Sequence, residues 1–103
     1  MNRTLIVAKA DPKDLDRITE LWTESDATAL PHLVGVGRRT LFSFHGLYFH
    51  LIESEREPDI ARVRDHPLWH DINAKLKPLV APYHPSWQGP ADAMAKPFYT
   101  WPL

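Results

Sequence analysis

The sequence predicts an α+β fold of the ferredoxin-like kind: the order β-α-β-β-α-β, an antiparallel sheet, and both helices on one face. Three observations lead there. Residues 38–52 are rich in aromatic and aliphatic side chains on both sides of His45-Gly46, a plausible two-residue turn, which is a strand–turn–strand signal. Leu15, Ile18, Leu21 and Trp22 recur at helical spacing, and so do Leu68, Ile72, Leu76 and Leu79. A strand-like run precedes the first helical segment, and another follows the second.

In chain order, residues 4–8 are β-branched and aliphatic and form the first strand. Asp11 suits a helix N-cap and Pro12 the first helical position. This helix fades across residues 26–31, where Thr28 and Pro31 interrupt the pattern. Residues 34–44 form the second strand, with Gly35 and Gly37 softening its start, and residues 47–53 the third. Residues 54–58 are a charged connector. Residues 59–65 hold one or two helical turns, and Pro67 opens a helix over residues 68–79. Residues 81–97 are too aromatic for a disordered linker and read as a long ordered loop. Residues 98–101 supply a last short strand.

At 103 residues and 44% hydrophobic content, the chain is expected to be a single domain over residues 1–103. A core of this size gains from self-association. The formal net charge of -1 gives no electrostatic case for nucleic acid or an anionic membrane as partner. With no cysteine, a disulfide framework, a thiol nucleophile and a thiolate metal site are all excluded. The apolar stretch near the N-terminus is short for a signal peptide, and no run approaches transmembrane length, so the expected location is the cytoplasm. Six histidines raise the question of a metal. His66 and His70 are four apart, but Pro67 puts His66 at the helix entry, and His45 and His50 point to opposite sheet faces. No metal and no phosphate-binding glycine loop is expected.

The hairpin register carries the functional argument. If His45 and Gly46 form the turn, Phe44 lies opposite Leu47, Phe42 opposite Phe49, and Thr40 opposite Leu51. The other face pairs Ser43 with Tyr48, Leu41 with His50, and Arg39 with Ile52. Arg39 and His50 are then diagonal neighbours on one face. The phenylalanine face needs cover, most simply from a second copy of the chain in a homodimer, and the Arg39/His50 face meets the helices. Asp26 lies four residues after Trp22 and eleven after Leu15, so it shares their inward side and approaches the same cavity. Two readings stand at this point. Asp26 and Arg39 form a structural ion pair beside a hydrogen-bonded core histidine. Or Asp26, His50 and Arg39 form an acid/base site, with a carboxylate to orient the imidazole and a cation to hold negative charge.

The segment Leu30-Pro31 with Gly35-Val36-Gly37-Arg38-Arg39-Thr40-Leu41-Phe42-Ser43-Phe44-His45-Gly46-Leu47-Tyr48-Phe49-His50-Leu51-Ile52-Glu53 resembles the aromatic polyketide cyclases of the tetracenomycin type. So do His66-Pro67-Leu68-Trp69, Pro82-Tyr83 and Phe98-Tyr99-Thr100-Trp101. The resemblance implies a ferredoxin-like protein that pairs into a dimeric α/β-barrel-type assembly and works without cofactor. It further implies aldol condensation and dehydration of a poly-β-ketone, in type II antibiotic or spore-pigment biosynthesis. The substrate would be free or tethered to an acyl carrier protein. The family's acid/base groups fall on Asp26 and His50, with Arg39 beside them, and Trp22, Ser25, Leu41, Tyr48 and Trp69 are the expected substrate contacts. A member of the family has a histidine just before the aspartate, where this chain has Ser25. Two other functions compete: a cofactor-free monooxygenase of the dimeric α/β-barrel group, and a non-catalytic module that shapes the polyketide.

Overall fold

Strand β1 (Asn2–Ala10) is the spine of an antiparallel sheet in a computed structural model that describes residues 1–102. Position 103 of the expected domain lies outside the described residues. Strands β2 (Arg38–Phe44) and β3 (Leu47–Ser54) form the hairpin, and β4 (Val80–Ala81) lies on the other side of β1, giving the order β2-β3-β1-β4. A fifth strand, β5 (Met94–Ala95), also pairs with β1, at Leu5 and Ile6. Every pairing is antiparallel. The helices are α1 (Leu15–Asp26), α2 (Leu30–Val34), α3 (Ile60–Val63) and α4 (Pro67–Leu76).

The hairpin has the expected register, with Arg39 opposite Ile52, Leu41 opposite His50 and Phe44 opposite Leu47. Its turn explains why. His45 and Gly46 both have positive φ, 49° and 81°, the pattern whose twist matches that of the flanking strands. Along β3 burial alternates strictly: Tyr48, His50, Ile52 and Ser54 are buried, while Leu47, Phe49, Leu51 and Glu53 are half-buried. The buried set faces the helices. Ile18 and Leu21 of α1 and Ile72 and Leu76 of α4 close the core over Ala8 and Tyr48. On the opposite face, Phe42 and Phe44 are 50% and 54% exposed.

Local chemistry sets the helix ends. The Asp11 carboxylate accepts from Lys13 N at 3.0 Å and caps a 3-10 turn over Pro12–Asp14, which leads into α1. His66 caps α4, its Nδ1 accepting from Leu68 N at 3.1 Å, with Pro67 in the first turn. Asp59 caps α3 in the same way, through Arg62 N.

Three expectations are corrected. The second strand does not begin at residue 34. Pro31 opens a helix instead of ending one, α2 runs to Val34, and Gly35 closes it at φ 90°, the left-handed geometry that glycine supplies cheaply. Residues 98–101 are not a strand, and Phe98, Tyr99 and Trp101 are exposed. Their aromatic content imitates strand propensity, but Pro97 and Pro102 flank them and lack the amide donors a ladder needs. The sheet is instead completed by the two-residue strands β4 and β5. The last long helix also ends earlier than residue 79, at Leu76.

Candidate active site

Arg39 lies at the centre of the polar cluster. It projects from β2 toward α1, and its side chain is 11% exposed. Three groups hold it. Asp26, four residues after Trp22 on α1, accepts from Arg39 Nε at 3.0 and 3.2 Å and from Nη2 at 2.8 Å. This two-pronged pairing suits the planar guanidinium. Asp26 is also the last residue of α1, where the helix dipole disfavours a carboxylate and where the last turn carries no cation of its own. Arg39 supplies that missing charge from the sheet. The Trp22 indole forms the second wall, with the guanidinium carbon 3.9 Å from its ring centroid.

The third partner is His50, 5% exposed on β3, whose Nε2 lies 2.7 Å from Arg39 Nη1. Guanidinium groups only donate, so Nε2 must accept, and the neutral ring carries its proton on Nδ1. Burial, and secondly the Arg39 charge, push His50 down from its ordinary 6.5 to about 3. The imidazole is therefore neutral at physiological pH. The same shift links the site to stability. Between about pH 6.5 and 3 the unfolded chain binds a proton that the native ring refuses. The contribution is fully present above 6.5 and is lost as pH falls, at about 1.4 kcal/mol per pH unit. NMR of the His50 ring should show one neutral tautomer from pH 8 down to pH 5 (roughly the range over which an ordinary histidine titrates). A midpoint near 6.5 would contradict this environment.

The expected contact between Asp26 and His50 is not made. The longer arginine side chain lies between them, so the carboxylate orients the guanidinium and the guanidinium orients the imidazole. Of the expected substrate contacts, Trp22, Leu41 and Tyr48 are brought to the cluster. Leu41 lies directly opposite His50, and Tyr48 accepts from Trp22 Nε1 at 3.0 Å. Trp22 tilts against His50, with ring centroids 4.9 Å apart at 59°.

Ser25 and Trp69 lie elsewhere. Ser25 is one position before Asp26, about 100° round the helix, and lines a cleft of about 120 Å³ between α1 and α4 with Leu21, Leu68 and Ile72. Trp69, on α4, is half-buried against the core. Among the described residues, neither joins the network around Arg39. The sequence reading missed the bond between Trp22 and Tyr48. Its available signal was the register, which puts Tyr48 on the same face as His50 and Arg39.

The sequence pattern of the polyketide synthesis cyclase family matches residues 2–102. The chain belongs to that family. Tetracenomycin F2 cyclase of Streptomyces glaucescens is 38% identical over 101 residues, covering 96% of this chain and 93% of that protein. A Streptomyces cyaneus protein named polyketide synthase CurG is 42% identical, covering 98% and 97%. An uncharacterized Streptomyces coelicolor protein is 48% identical, covering 98% and 95%. The solved structure of tetracenomycin F2 cyclase, described as a type-II polyketide cyclase, superposes with a TM-score of 0.90 at 37% identity and covers 100% of this chain and 99% of that one. The α+β fold of this cyclase-family chain, an antiparallel sheet with packed helices, matches that structure.

Proposed function

We propose that this chain is an aromatic polyketide cyclase of type II biosynthesis, closing a ring on a poly-β-ketone by aldol condensation and dehydration. The observation that carries the reading is the largely covered Arg39 guanidinium, lying over the Trp22 ring and hydrogen-bonded to a neutral imidazole, in a chain of this family.

The chemistry follows from these groups. A methylene between two ketones is acidified by both, so a weak base can take its proton. The carbanion attacks a carbonyl further along the chain, and a C–C bond forms. The carbonyl oxygen takes up one proton and becomes a hydroxyl; the attacking carbon then gives up its remaining proton to a base, the hydroxyl receives a second proton, and water leaves as the ring becomes aromatic. Arg39 stabilises the negative oxygen of the enolate. When that oxygen takes Arg39 Nη1, His50 Nε2 is released from its resting hydrogen bond, and its lone pair becomes the proton acceptor. An anionic enolate beside the ring raises the basicity that burial and Arg39 suppress. Asp26 keeps the guanidinium aimed, and Trp22, Leu41 and Tyr48 wall the bound chain, which limits the ways it can fold on itself.

The assembly belongs to the same reading. The strand order β2-β3-β1-β4 with antiparallel pairing supports a ferredoxin-like unit. The exposed Phe42 and Phe44 support a sheet face covered by a second copy, as in dimeric α/β-barrels. Sedimentation at micromolar concentration should give about twice the chain mass; a mass near 11.9 kDa would remove the dimer. The substrate is a poly-β-ketone chain, free or carried on an acyl carrier protein.

The test of the function is incubation with a synthetic aryl β-diketone bearing a ketone arm, with product mass and dissolved oxygen followed together. Enzyme-dependent loss of water without oxygen uptake is expected. Oxygen consumption would make the chain a cofactor-free monooxygenase. Unchanged rate with altered product ratio would make it a shaping module.

A further inference from the structure

We propose that Tyr48 is a positioning residue that sets the orientation of Arg39 through Trp22; this rests on the cyclase reading above. Among the described residues Tyr48 makes no hydrogen bond to Asp26, Arg39 or His50, and its ring meets that of His50 edge-on, centroids 6.3 Å apart. It lies 4% exposed on β3, and its hydroxyl accepts from the Trp22 indole N–H at 3.0 Å. Trp22 is the aromatic plate against which the guanidinium lies, 3.9 Å from the ring centroid, and it also packs on the His50 ring.

Each remaining constraint on Arg39 leaves a freedom that the indole removes. The Asp26 carboxylate is 37% exposed at the end of a helix, so its ion pair alone is a soft anchor. The Nη1–His50 bond fixes one atom but not the tilt of the plane. The ring face, 3.9 Å from the guanidinium carbon, limits that tilt, provided the indole itself cannot turn. An indole has one hydrogen-bond donor, and here that donor is spent on Tyr48. The bond is the directional element that keeps the plate facing Arg39. Tyr48 is suited to this task because burial raises its phenol above the ordinary value, so it stays protonated and neutral beside the cation. Its ring is itself anchored in the core cluster. The order of support is therefore Tyr48, then Trp22, then Arg39, then the enolate oxygen.

Tyr48→Phe keeps the ring and its packing and removes only the acceptor. Ring closure of the aryl β-diketone probe should show kcat lowered about tenfold, with KM within about twofold, because the ground state is held by the walls and the transition state by Arg39. The Trp22 indole N–H resonance should shift and exchange faster. A stability loss alone would not produce a split between kcat and KM, and rates are taken on protein shown to be folded by circular dichroism. Trp22→Phe removes the donor while retaining an aromatic plate. In that background, adding Tyr48→Phe should cost no further activity. Arg39→Ala is assayed alongside. If it is impaired while Tyr48→Phe matches the parent, or if the two aromatic substitutions are simply additive, Tyr48 does not position Arg39, and the cyclase reading stands. If Arg39→Ala is as active as the parent, the assigned role of Arg39 fails, and the role of Tyr48 fails with it.

Discussion

Arg39→Ala should slow ring closure of a poly-β-ketone by about 10²–10³-fold, the usual cost of removing one preorganised donor to a developing oxyanion. The loss should fall on kcat, since the guanidinium acts on charge that appears only in the transition state. Arg39→Lys should recover little of it. An ammonium cannot hold both Asp26 oxygens through a planar fork and lie flat on Trp22 while still reaching His50. The protein itself should survive, because the released Asp26 is partly exposed and can be solvated. Removing the cation also relieves one of the two causes that hold His50 down, so the histidine midpoint should move up, with burial still keeping it low. Steady-state rates and an NMR titration of the same variant check both. A rate within threefold of the parent would exclude Arg39 from the chemistry.

His50→Ala should lower the rate by about 10²-fold or more, the range attributed to a positioned general base. The proposed dimer should persist, because His50 faces the helices and Phe42 and Phe44 face away from them. The parent's pH dependence provides an independent check. With His50 near 3 in the free protein, kcat/KM for a non-titrating probe should show no histidine limb between about pH 8 and 5. If the parent instead loses activity around pH 6.5 and the alanine variant does not, the ring is protonating in the free protein and its environment is wetter than the structure has it. Unchanged rate and product ratio in His50→Ala would remove the base role altogether.

Much of this site could be read from the sequence because strand parity is strict. Once His45-Gly46 is taken as the turn, Arg39, Leu41, Tyr48 and His50 must share a face, and Phe42, Phe44 and Phe49 must occupy the other. The phase of α1 likewise puts Trp22 and Asp26 on one side of the helix, where both meet Arg39. What periodicity could not supply was reach. Asp26 and His50 are near each other, but an arginine long enough to touch both lies between them, and no spacing rule predicts which of three polar groups takes the middle. Helical phase did contain the answer for Ser25, which sits too far round α1 from Asp26 to join its pairing with Arg39. The short strands β4 and β5 are two residues each, below the length at which alternation means anything. The exposed aromatics near the C-terminus imitated a strand for the reason given by their flanking prolines.

The two-residue turn at His45-Gly46 makes the hairpin a ruler for the chemistry. Arg39 and His50 are eleven positions apart, and that count, not only their identity, decides whether they meet. Inserting one residue within an arm, with the two-residue turn kept, would swap the faces of everything beyond it, sending either the arginine or the histidine to the phenylalanine side without altering either side chain. Among relatives, a change in length between these two positions should therefore fall in the loop and leave the pairing of the arms as it is. A family member with an odd insertion inside an arm would have to have rebuilt its acid/base machinery from different positions.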